Sequence, residues 1–244
     1  MVRRWRGLSR WQQGAVVAAM LLGLWAVWNV GFRLYSWTQS NSPIYIGRWF
    51  TDARSRPGLM TQRDAPCPGA PFLLPSEGFI GLLYADPAGP YTVLNRHTGV
   101  DIFADGQPGE VPVVAAYDGE LTRLPNWLST VIVKHDDPLQ PGRTIWTYYT
   151  HMANVTGTQS FVHPDFPPGT LGVPVEQGRV LGYQGDYGGS RRVGLHLHFS
   201  IVESEPDGSF KNEAVLANTL DPTPYLGMDV SARGLPPRPI DCDG

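Results

Sequence analysis

Lysine is almost missing from this 244-residue chain, which contains only Lys134 and Lys211. Acidic residues are absent before Asp52, and the formal charge of −3 becomes −7 once Arg3, Arg4, Arg6 and Arg10 are set aside. A mildly acidic body without a Lys/Arg cluster excludes nucleic acid as an expected partner. Cysteine is scarce as well. Cys67 and Cys242 stand far apart, unlike a zinc knuckle, so neither is expected to bind metal. In an oxidising compartment they could form one bridge tying the tail to the segment before the main domain; otherwise they are two unpaired thiols, and the sequence leaves both readings open. There is no HExxH helix, so a thermolysin-type glutamate base is not available. Charged residues make up only 17% and the body has no long amphipathic helix, apart from a short piece near 212–220. That disfavours a helical bundle.

What is present begins with one apolar run. Residues 14–32 read GAVVAAMLLGLWAVWNVGF without a charge. As a helix this reaches roughly 28 Å, about the thickness of a bilayer core. Trp5 and Trp11 precede it, and Tyr35 and Trp37 follow, as interfacial aromatics do. The four early arginines favour a cytoplasmic N-terminus, with the rest of the chain outside the cytoplasmic membrane. A cleaved signal would need a small-x-small site after Phe32, where the chain reads Arg33-Leu34-Tyr35-Ser36-Trp37. The expected organisation is a cytoplasmic tail over 1–13, a single-pass anchor over 14–34, a juxtamembrane spacer over 35–74, a main domain over 75–228 and an extended Pro-rich tail over 229–244.

The main domain reads as mostly β. Gly 28 and Pro 23 punctuate short alternating runs, and strands are expected near 111–116, 120–124, 130–134, 144–151, 179–183 and 195–202. Asp118-Gly119 is a hairpin signal between the first two. An antiparallel sheet with an open groove is therefore expected.

Two short patterns carry the chemistry. His97 and Asp101 are four apart, which places them on one side of a strand or a helix. His196 and His198 alternate on a strand and so share a face. Imidazole and carboxylate bind zinc, and two imidazoles with one carboxylate leave a fourth position for water, as in catalytic sites. Spacing alone does not say which of His196 and His198 binds metal. His151 closes a strand on the same face as Tyr149. A lone histidine is usually a surface or satisfied core residue; His135 and His163 are read that way.

The ordered set Arg96-His97-Thr98-Gly99-Val100-Asp101-Ile102, Val114-Ala115-Ala116-Tyr117-Asp118-Gly119, Tyr149-Thr150-His151-Met152 and His196-Leu197-His198-Phe199 resembles the lysostaphin-type zinc metallopeptidases of family M23. That resemblance implies a β-sheet peptidase core, Zn2+ held by His97, Asp101 and His198, and catalytic roles for His151 and His196. It also implies peptidoglycan peptides as substrate, with the anchor bringing the lipid bilayer as the other partner. Glycines 185, 188 and 189 match a glycine-rich turn in relatives, and the loop over 153–174 is longer than the compact pattern. Arg191 and Arg192 depart from it, because relatives more often carry a small residue or proline just before the first histidine of the pair. Two alternatives were weighed. Hairpins at 114–121 and 175–182 resemble lipoyl-type carrier domains, but neither turn carries the lysine that such a carrier modifies. A non-catalytic wall-binding scaffold or activator is the other; the filled ligand and catalytic positions weigh against it, and an occluding 153–174 loop is the feature that would favour it.

Overall fold

The computed structural model describes residues 9–189 and 191–243, with Arg191 and Arg192 described by backbone only. The departure at those two arginines, and the basic cluster of the first eight residues, therefore fall outside the described side chains.

The apolar run forms helix α1 (Arg10–Thr38), opened by a Ser9/Gln12 capping box. It is long and apolar enough to cross a bilayer and is exposed along that stretch. A second helix, α2 (Ser42–Thr51), follows with proline in its first turn, and then a 3-10 turn over Ala53–Gly58. This segment was expected to be an unpacked spacer, and the structure corrects that. Tyr45 and Trp49, one turn apart, face inward; Trp49 stacks on Phe79 at 5.1 Å between ring centres and shares a small core with Leu59 and Phe103. The breaker-rich composition had hidden an apolar face confined to a few positions.

Among the described residues eleven strands follow: β1 (Phe79–Ile80), β2 (Val100–Phe103), β3 (Pro112–Val114), β4 (Gly119–Thr122), β5 (Val131–Asp136), β6 (Thr144–Thr150), β7 (Val173–Val175), β8 (Val180–Tyr183), β9 (Gly185–Gly188), β10 (Arg191–Glu203) and β11 (Thr219–Leu220). Nine form one antiparallel sheet with the path β1-β2-β10-β6-β5-β4-β7, β9 and β11 also pairing with β10. The fold is thus the antiparallel, sheet-rich architecture expected, with one N-terminal apolar helix. The Asp118-Gly119 signal does not make a hairpin, however: β3 pairs with β8, while β4 pairs with β5 and β7. The Asp118 carbonyl instead accepts from His135 Nδ1 at 2.7 Å. The chain turns out of one sheet and into the other.

Period-two alternation sorts the faces of the sheet. Val100, Ile102, Val131, Val133, Ile145, Tyr149, Leu197, Phe199 and Ile201 enter the main core. Their neighbours Asp101, Phe103, Thr150, His196 and His198 stand on the opposite face. His135 is on the core side, near Phe72 and Tyr117, in keeping with a structural role. Burial pushes its imidazole down to about 4. A histidine held neutral stabilises the fold fully above its unfolded value near 6.5, and that contribution is lost as pH falls from there through about 4. Comparing wild type with His135→Gln should therefore show a pH-dependent stability difference of about 3 kcal/mol between pH 7 and pH 4, read from thermal unfolding.

The expected tail, described over 229–243, is also packed rather than extended. Val230 and Ile240 are buried, Ser231 bridges to Tyr84, and short helix α3 (Thr223–Leu226) precedes it. Cys67 and Cys242 are joined in a disulfide spanning 175 residues. Closing so long a loop restricts the unfolded chain, and the entropic model gives about 5 kcal/mol as an upper figure. Cys242→Ala should therefore lower the unfolding midpoint by many degrees, and a matching drop should follow mild reduction of the wild type.

Candidate active site

Strand register brings the distant motifs together. β10 lies between β2 and β6, so His198 sits directly across from Asp101 on one side and Thr150 on the other, while His196 faces Phe103. His97 lies just before β2 and is held by its backbone to Asp86 and Ala85. Gly99 permits this approach, because a Cβ there would fall 2.2 Å from the Phe199 carbonyl oxygen. His151 follows β6 with a left-handed backbone, φ 75°, which turns its ring off the strand line toward His196 at 4.4 Å between centres. Gly185 allows that turn: any side chain there would strike the carbonyls of His151 and Ala153.

Three lone-pair atoms converge. His97 Nε2, Asp101 Oδ1 and His198 Nδ1 are separated by 3.1, 2.9 and 3.0 Å, all on buried residues. The remaining ring nitrogens are occupied. His97 Nδ1 donates to the Leu83 carbonyl at 2.9 Å, and His198 Nε2 to Glu213 Oε1 at 2.8 Å. Each imidazole is thus fixed so that its other nitrogen, once deprotonated, faces the shared point, the arrangement that outer partners impose on metal ligands. The electrostatics agree. Burial alone would raise the Asp101 carboxyl, but His97 and His196 hold it well below its ordinary range. Burial would likewise depress His198; Glu213 and Asp101 instead push it up to about 10. Two carboxylates around one buried imidazole call for positive charge here. The donor set fits a zinc-like cation.

Glu213 escaped the sequence reading, since it lies in a loop with no motif around it. It also accepts from Thr98 Oγ1 at 2.6 Å and Ser200 Oγ at 3.3 Å, and His198 holds its carboxyl at about 2 against burial. Glu213→Gln should weaken the binding of any divalent cation at this cluster by about 10–100-fold, the range seen for such outer partners, as read by chelator competition.

His151 and His196 differ from that trio. His151 Nδ1 donates to the Tyr187 carbonyl at 2.7 Å and His196 Nδ1 to the Gly194 carbonyl at 2.6 Å, and the His196 Nε2 stands 3.7 Å from Asp101 Oδ1. Burial, reinforced by His196 and His198, pushes His151 down to about 3; burial also lowers His196, with Asp101 opposing. Both are neutral bases at pH 7. With Asp101 and His198 they line a cavity of about 540 Å³, while His97 is sealed behind them against Tyr91. Gly188 and Gly189 form part of the rim. Among the described residues, none of 153–174 lines this cavity, so the long loop does not occlude it; His163 pairs with Asp165 elsewhere.

No family model matches the chain, and no curated protein does. Among solved structures it is similar to the catalytic domain of the antimicrobial peptidase lysostaphin from Staphylococcus simulans (22% identity, 54% of this chain, 79% of that one, TM-score 0.36). It is similar also to the catalytic domain of the prophage-encoded M23 protein EnpA from Enterococcus faecalis (23%, 62% and 95%, TM-score 0.37). A third is a zinc-containing peptidase from Vibrio cholerae (17%, 62% and 38%, TM-score 0.33). These likenesses cover 54–62% of this chain.

Proposed function

We propose that this chain is a membrane-anchored zinc metalloendopeptidase that hydrolyses peptide bonds, with peptidoglycan peptides as substrate. The observation that carries it is the convergence of ligand atoms from His97, Asp101 and His198 beside two further imidazoles, His151 and His196, whose Nδ1 positions are committed to backbone carbonyls. His97, Asp101 and His198 would hold Zn2+. When bound, zinc would polarise the scissile carbonyl and bring the pKa of a water toward ~7.

The remaining steps belong to side chains. Neutral His196 and His151 can take a proton at Nε2 from the attacking water and return it to the departing amine. Once protonated, either becomes a cationic donor to the tetrahedral oxyanion. Their Nδ1–H groups are spent on backbone carbonyls, so each ring is fixed in one tautomer and orientation. Strands and a paired loop hold these groups, which limits reorganisation during the reaction. α1 supports anchoring, and the arginines before it support a cytoplasmic N-terminus with the cleft outside.

The deciding experiment uses purified full-length protein in detergent, assayed for bound zinc and for fragments released from defined muropeptides, read by mass. One zinc per chain with fragments cut at a single type of amide supports the peptidase. One zinc with intact muropeptides throughout would leave a wall-binding scaffold in its place.

A further inference from the structure

α2 presents a second pair of residues one turn apart, Ile46 and Phe50, beside the half-buried Tyr45 and buried Trp49. Both Ile46 and Phe50 line the catalytic cavity. The Phe50 ring remains 53% exposed while meeting Phe103 edge-on at 5.7 Å. Phe103 in turn stacks on His196 at 4.9 Å and 21°. An apolar surface thus runs from α2 to the imidazole beside the scissile bond, with Leu82 and Val193 completing it. Gly194 makes the close fit possible, since a Cβ there would come 2.9 Å from the Phe50 ring.

The helix carrying this surface is fixed. Ser42 Oγ bonds the buried Asp86 carboxylate, whose backbone carbonyl accepts from the His97 amide. The Arg238 guanidinium donates to Ser42 Oγ at 3.2 Å and to the carbonyls of Ile80 and Gly81, lying over Tyr45 at 5.2 Å. Arg56 packs over Trp49 and pairs with Asp105. The anchor-side segment is therefore a rigid wall of the cleft, and a pre-formed surface binds without an ordering penalty.

We propose that α2 builds an apolar subsite in which Phe50 and Ile46 seat an aliphatic side chain of the substrate peptide beside the bond to be cut. This deepens the peptidase reading and rests on it. An aliphatic residue fits because Ile46, Phe50, Leu82, Phe103 and Val193 give the cavity an apolar lining beside His196, and a pocket of this kind rewards each buried methylene.

The test measures binding, so that it stands apart from turnover. Full-length, zinc-loaded protein carrying His151→Gln in lipid nanodiscs is titrated with fluorescent hexa-alanine peptides in which one alanine at a time is replaced by leucine. One position should show about tenfold tighter binding for leucine than for alanine. In Phe50→Ala that leucine-to-alanine ratio should fall toward one, and in Phe50→Leu it should be intermediate. Equal binding of all peptides, or a ratio unchanged by both Phe50 variants, would overturn the subsite. Failure of the peptidase reading would show differently, as absent turnover by the wild type with the leucine preference intact.

Discussion

Asp101→Ala protein is expected to purify folded, without zinc, and without measurable release of fragments from muropeptides. Asp101 is the only carboxylate among the three converging atoms, lying 2.9 Å from His198 Nδ1 and 3.1 Å from His97 Nε2. Its removal takes away both a ligand and the negative charge that favours a cation there. The affinity loss should exceed the 10–100-fold expected for an outer partner such as Glu213. His97→Ala should behave alike, since its other nitrogen is already committed to the Leu83 carbonyl. Metal content by atomic emission, together with a melting curve to show that the fold survives, checks both variants. Stoichiometric zinc in either one would place the ion somewhere other than this cluster.

The second large effect separates catalysis from binding. His196→Ala should keep its zinc and lose activity by about 10²–10⁴-fold, the usual span for a general acid–base group. The ring stands 3.7 Å from Asp101, outside the tight trio, with its Nε2 turned into the cleft. Burial keeps it neutral while Asp101 opposes that shift and favours its protonated form. His151→Ala should fall in the same range. Because the two rings lie 4.4 Å apart, the double variant should lose less than the product of the single losses, as groups acting as one unit do. Full turnover by His196→Ala would remove the catalytic assignment, while loss of zinc would make it a ligand.

Much of this was legible in the chain. The His-x-His alternation on a strand gave a shared face, and β10 presents it as such. Strands were legible where apolar alternation ran for five residues or more, as at 131–136 and 144–150. β2 was passed over: four residues broken by Asp101 look like a turn until a neighbour supplies their hydrogen bonds. β9 carries no apolar alternation, since two of its four residues are glycine. Glu213 and Phe50 carried no signal, since a loop glutamate and a phenylalanine after an anchor are ordinary until something folds against them.

The period-two faces, the apolar length of α1 and the residue types able to bind a zinc-like ion can be read from the order of amino acids alone. These are local properties, set by backbone geometry and side-chain chemistry within a few positions. Only the tertiary structure decided that Asp101 and His198 are cross-strand neighbours, that His151 turns through a left-handed backbone, that Cys67 meets Cys242, and that α2 walls the cleft. Each of those depends on strand register or close backbone contact between segments far apart in the chain, for which the intervening residues carry no marker.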